Sequence, residues 1–171
     1  QWIEQYVKPG DTFYDIGANI GAYSLIADAQ GAIVYAFEPV PSTFAHLARN
    51  VTENKARIWL IPLGVMDRPG IDVLALSSEE AGAASHRWHS REGLGTLTTT
   101  LDGAVNAFTL AWPGHIKIDV DGYECNVVLG ARQCLSFVKT VMVEIEETRP
   151  NWSSVTQMLR DAGLKFKNRW P

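Results

Sequence analysis

The chain alternates. Apolar runs of strand length at residues 12–17, 33–39, 57–65, 115–121 and 140–147 are separated, with one exception, by segments patterned as helices. Residues 20–30 read as a helix closed by Gly31. Pro41-Ser42 opens another, in which Phe44, Leu47, Ala48 and Val51 recur on one face. Val127, Val128, Ala131 and Leu135 predict a helix after the fourth run, and Val155, Met158, Leu159 and Ala162 one after the fifth, closed by Gly163. Residues 164–170 are expected to start a sixth strand. Strands alternating with helices imply a mostly parallel sheet covered on both faces. Right-handed crossovers then give an α/β, doubly wound sandwich. The exception is segment 66–114, far longer than an ordinary connection. There 67–70 reads as a turn, 71–77 as an extra antiparallel strand, and 77–95 shows no periodicity.

At 171 residues the chain suits one domain, 1–171, and 46% hydrophobic residues suffice for a buried core. A formal net charge of −4 argues against a nucleic-acid surface, which needs clustered Lys and Arg. No apolar run approaches the ~18 residues of a membrane span, and no basic-then-apolar leader is present, so a cytoplasmic location is expected. Cys125 and Cys134 are expected on one helix, ~13 Å apart at ~1.5 Å per residue, which no disulfide spans. Both ends read as cut: the chain begins at Gln1 inside a helix pattern and stops at Pro171 just after an apparent strand.

The first strand ends in D-x-G-x-N-x-G, from Asp15 through Gly17 and Asn19 to Gly21. In such sheets ligands sit at the carboxyl ends of the strands, where the winding reverses. A glycine turn lets a ligand approach the backbone, and the N–H groups of the next helix favour a negative group. Glu38 ends the second strand 21 residues after Gly17, where an acidic side chain holds a ribose by its hydroxyls. A dinucleotide would require G-x-G-x-x-G, but those glycine positions hold Gly17, Asn19 and Ala22. S-adenosylmethionine fits better. It has a ribose, a carboxylate for the helix N-terminus, and an ammonium that Asp15 could attract.

The blocks "DIGANIGAYS", "YAFEPVPSTFAHLARN", "GVMDRPG", "TLDG" and "IKIDVDGYE", in this order, resemble the FkbM-type methyltransferases, from about Pro9 to Glu147. The resemblance implies a Rossmann-like class I methyltransferase fold. It also implies S-adenosylmethionine as cofactor and methyl transfer to oxygen, often of a sugar hydroxyl or another small-molecule alcohol. Carried onto these blocks, it makes Asp15, Gly17, Ala18, Asn19, Gly21, Glu38, Pro39 and Asp67 the expected cofactor contacts. It implies too a final antiparallel strand that lies beyond residue 171, which leaves the fifth strand with an exposed edge. The oligomeric state stays open.

A central parallel strand should be apolar on both faces, yet 115–121 carries Lys117, Asp119 and Asp121 on one of them. In the fifth strand Met142, Glu144 and Glu146 share a face. Buried charges are costly unless paired, so a site is expected at the carboxyl edge, with Asp119 and Glu144 as candidate catalytic acids. Lys117 is a third candidate, though an ion pair with Asp15 or another carboxylate is the favoured role for it. In methyl transfer to an alcohol the acceptor loses a proton, which a carboxylate can take. Two acids on adjacent strands permit a divalent metal without demanding one, and no dedicated metal site is expected. His86 and His89 read as surface-loop residues rather than metal ligands, in a segment placed to form a wall or lid for the acceptor.

Overall fold

In the computed structural model, residues 2–76, 86–88, 90, 92–145 and 152–168 are described. Helix α1 (Trp2–Tyr6) leads into β1 (Thr12–Ile16), α2 (Ala22–Ala29), β2 (Ile33–Phe37), α3 (Pro41–Glu53) and β3 (Ile58–Ile61). Then come β4 (Gly64–Val65), β5 (Gly70–Leu76), β6 (His86–Arg87), β7 (Leu94–Thr99) and α4 (Leu101–Phe108). The chain continues through β8 (His115–Ile118), α5 (Glu124–Leu129), α6 (Arg132–Leu135), β9 (Thr140–Val143) and α7 (Trp152–Asp161).

The main sheet has the order β3-β2-β1-β8-β9, with every pair parallel. The chain winds outward from β1 to β3 and then returns to β8, so the reversal falls between β1 and β8. Their carboxyl ends flank a single crevice, as doubly wound sheets require. The strands are apolar runs because both faces are covered. Tyr14, Ile16, Ile116 and Ile118 pack under Leu101, Val127, Leu135 and Val155 of α4 to α7. Phe13 and Val34 face Trp2 and Ile3, while Ala36 meets Leu47 and Val51 of α3. Each such side chain contributes ~1.5–3 kcal/mol on burial. The two charges inside the strands lie on the α1–α3 face, and Asp15 and Lys117 are register partners there.

Segment 66–114, together with β4 just before it, builds a second sheet, β4-β7-β5-β6, in which β5 runs antiparallel to β6 and β7. The extra strand expected at 71–77 is thus β5. Strand β7 and helix α4 were not anticipated. Helix α4 starts where Thr100 accepts the Gly103 N–H at 2.9 Å. In its first turn Asp102 accepts the N–H groups of Gln133 and Cys134, both at 2.8 Å, and so caps α6.

Several expected boundaries are corrected. The run 57–65 is two strands: β3 ends at Ile61, and Gly64–Val65 leaves to pair with β7. The run 115–121 ends as a strand at Ile118, and 140–147 at Val143, with 146 and 147 outside the described residues. Residues 164–168 form no strand, so β9 is an edge among the described residues. Cys125 and Cys134 lie on separate short helices and are free thiols. No described helix is long and apolar enough to cross a membrane.

Candidate functional site

At the end of β1 the chain turns against the end of β8. Gly17 has φ +76°, and a Cβ there would overlap the carbonyl oxygen of Asp119, so glycine alone fits. Asn19 also adopts a left-handed backbone, φ 51°, which asparagine tolerates. The Gly17 and Ala18 N–H groups donate to the Phe37 carbonyl at 3.0 and 2.9 Å, pinning the turn to the end of β2. Helix α2 then begins after Gly21, with the N–H groups of its first turn lacking partners within the helix.

Glu38 follows β2. Its carboxylate accepts the Asn19 N–H on Oε2 and the Val40 N–H on Oε1, both at 2.9 Å. The side chain is buried, and burial pushes its pKa up to about 7; the Val40 and Asn19 amides and Lys117 oppose this, while Asp15 adds to it.

Below the turn lies an ion-paired layer. Asp15 is fully buried, accepts the Ser24 hydroxyl at 2.7 Å, and sits 3.5 Å from Lys117 Nζ. Lys117 donates to the Gly17 carbonyl at 3.1 Å and to Asp119 Oδ2 at 2.9 Å, and lies 5.0 Å from the Tyr23 ring centroid. Desolvation disfavours its charge, but Asp15 and Asp119 outweigh that, and its pKa lies above the ordinary value. An ammonium so held is a fixed cation. It holds Asp119 in place rather than exchanging protons.

Asp119 leaves β8 with its N–H on the Ile16 carbonyl at 3.0 Å and its side chain 34% exposed. The Glu144 N–H bonds the Ile118 carbonyl at 2.9 Å, which brings Glu144 beside Asp119. Its carboxyl is pushed up by the Asp119 carboxylate and further by burial, against Lys117. The two acids therefore stand side by side on neighbouring strand ends.

The crevice is lined by Gly17, Asn19, Glu38, Pro39 and Asp119 from the expected set. Asp15 and Ala18 are buried behind it, Gly21 caps α2, and Glu144 adjoins it through Asp119. Asp67 is not on its wall. Met66 N–H bonds the Thr99 carbonyl, and Asp67 turns to accept Asn126 Nδ2 at 3.1 Å, with Arg68 at 3.8 Å. The departure follows from β4 joining the second sheet. His86 is part of β6, and His89 and Glu146 lie outside the described residues. Among the described residues no group of three or more His, Cys, Asp or Glu is arranged to hold a metal ion.

Sequence reasoning missed Trp88, which lines the crevice with Leu63, Gly64 and Val65. The Tyr123 hydroxyl accepts the Trp88 N–H at 2.9 Å and donates to the Trp88 carbonyl at 3.2 Å. Trp88 stands in an aperiodic stretch, and only its being a lone tryptophan there could have drawn notice.

A ligand with ribose hydroxyls to donate fits these residues. Glu38 is held in place at the crevice, Gly17 brings Asp119 to it, and Asn19 Oδ1 is buried with no partner.

Residues 15–166 match the model of the Methyltransferase FkbM domain. Hexuronic acid methyltransferase AglP of Haloferax volcanii is 32% identical over 156 residues, covering 90% of this chain and 63% of that protein. The 31-O-demethyl-FK506 methyltransferase FkbM of Streptomyces tacrolimicus is 25% identical over 192 residues, covering 92% and 74%. The chain thus spans 63% and 74% of the length of these two relatives. Among solved structures, Aeropyrum pernix fibrillarin with natively bound S-adenosyl-L-methionine superposes with a TM-score of 0.57 at 16% identity, over 95% of this chain and 60% of that one. At that identity the likeness carries the fold, the Rossmann-like class I methyltransferase sandwich. The strand order and the family match over most of the sequence agree, and the chain belongs to the FkbM methyltransferase domain family.

Proposed function

We propose that the chain transfers a methyl group from S-adenosylmethionine to a hydroxyl oxygen of a sugar or another small-molecule alcohol. The observation that carries this reading is convergence: Glu38, the Gly17–Asn19 turn and Asp119 meet on one crevice at the sheet's point of reversal. The names of the two relatives, one acting on a hexuronic acid and one on a demethylated FK506, support a methyltransferase with a sugar or polyketide acceptor.

S-adenosylmethionine supplies an electrophilic methyl group on a sulfonium. The remaining work falls to the chain. Glu38 accepts both ribose hydroxyls while its own two amide donors keep it aimed. The open N–H groups of α2 favour the ligand's carboxylate. The Asp119–Glu144 pair holds the acceptor hydroxyl and takes its proton, and Lys117, balanced by Asp15, fixes Asp119. Alignment of acceptor oxygen and methyl carbon is the main source of rate.

The test uses the full-length protein with methyl-labelled S-adenosylmethionine and a panel of sugar and polyketide alcohols. Labelled product is expected, and Asp119→Asn should lower turnover ~10²–10⁴-fold with little change in cofactor affinity. Binding of the cofactor without transfer to any acceptor would favour a cofactor-binding module instead.

A further inference from the structure

We infer that Trp88 is the stacking wall for the ligand's nucleobase and that Tyr123 is the residue that positions it. The inference rests on the nucleoside reading above. It follows from the order of the strand ends. With the ligand's anionic end over α2, beyond β1, and its ribose at Glu38, beyond β2, the base extends over the next strand, β3. Neighbouring strands lie ~4.8 Å apart, so the base reaches that edge without strain. The Glu38 N–H donates to the Ile61 carbonyl at 3.2 Å, which ties the ribose site to the end of β3.

What stands at that edge is Gly64, and beside it the indole. A Cβ on Gly64 would collide with the benzo ring of Trp88, so the glycine makes room for it. Trp88 is 8% exposed and still lines the crevice. An indole held this way presents apolar, polarisable surface to a flat heterocycle, and such stacking is tolerant of base identity. Neither backbone group of Trp88 is bonded into a strand at this point. Both are satisfied by one hydroxyl, that of Tyr123, which accepts from the N–H and donates to the carbonyl. Tyr123 belongs to the turn after β8, where Asp121 has φ 54° and Gly122 φ 104°. The turn that begins at Asp119 thus also holds the base-side wall.

The experiment is calorimetric titration of the full-length protein with S-adenosylmethionine and with adenosine, alongside tryptophan emission. Trp88→Ala is expected to weaken both ligands tenfold or more, and Trp88→Phe less than threefold. Adenosine should quench emission in the wild type, and that quench should vanish in Trp88→Phe. Tyr123→Phe should weaken both ligands three- to tenfold and shrink the quench, a readout that a purely structural hydroxyl would not move. If Trp88→Ala fails to fold, the emission of Trp88→Phe decides. Binding by folded Trp88→Ala within twofold of wild type, or a quench that persists in Trp88→Phe, overturns the inference alone. A wild type that binds neither ligand overturns the nucleoside reading and this inference with it.

Discussion

Folding and the proposed ligand pull Glu38 in opposite directions. Its folded pKa, about 7, lies above the ordinary 4.5. Its contribution to stability is therefore fully present below pH 4.5 and is lost as pH rises through about 7. In the proposed complex, however, ribose hydroxyls would donate to the ionised carboxylate, so cofactor affinity is expected to rise between pH 6 and 8. Calorimetry across that range should show the slope in the wild type and none in Glu38→Gln. Glu38→Ala should weaken binding by ~1.5–3 kcal/mol, the worth of hydrogen bonds to a charged group. The place of Glu38 on the crevice was legible in the sequence because its distance from Gly17 reflects one helix and one strand. That Asp67 stands off the crevice wall was not, since a motif block does not reveal that the chain leaves the sheet after Ile61. Trp88 was invisible for a related reason: its place on the crevice goes with its contact to Tyr123, 35 residues away, and no local pattern encodes that contact.

At the scale of elements, the charge in β8 was readable because charge inside a parallel strand is costly without a partner, and the register supplies one by setting Lys117 beside Asp15. Strand β7 and helix α4 were hidden. The run "LGTLTTT" alternates weakly, with Thr96 and Thr98 buried and Leu97 exposed between them, and the helix announces itself only by a threonine cap. Asp102 is the hinge of this region, tying α4 to the start of α6. Asp102→Ala removes both acceptors of the α6 cap and is expected to cost ~1–2 kcal/mol of stability, as lost caps do. Because Asp102 is not on the crevice wall, cofactor affinity should be unchanged. A thermal melt and a titration of the same variant check the two halves. A loss of affinity equal to the loss of stability would mean that the second sheet shapes the crevice through α4.

The whole molecule follows from one topological fact, the return of the chain to β8 beside β1. That fact was legible as a strand–helix rhythm, which fixes a doubly wound sheet; the extent of the second sheet was not, because its pairings are made between distant, short segments. Gly17 is where the two central strands touch. Gly17→Ala forces a Cβ into Asp119 and a left-handed angle on alanine, itself worth ~1–2 kcal/mol, so denaturant melts should show a loss at least that large. Methyl transfer should survive a strong chelator. Abolition, with rescue by magnesium or manganese, would instead make Asp119 and Glu144 metal ligands. The central claim is that the crevice between the ends of β1, β2 and β8 binds S-adenosylmethionine through Glu38. Titration of S-adenosylmethionine into folded wild type and folded Glu38→Ala tests it most directly. Saturable one-site binding to the wild type, weakened at least tenfold in the variant, is predicted; no binding to the wild type, or equal binding to both, would contradict it.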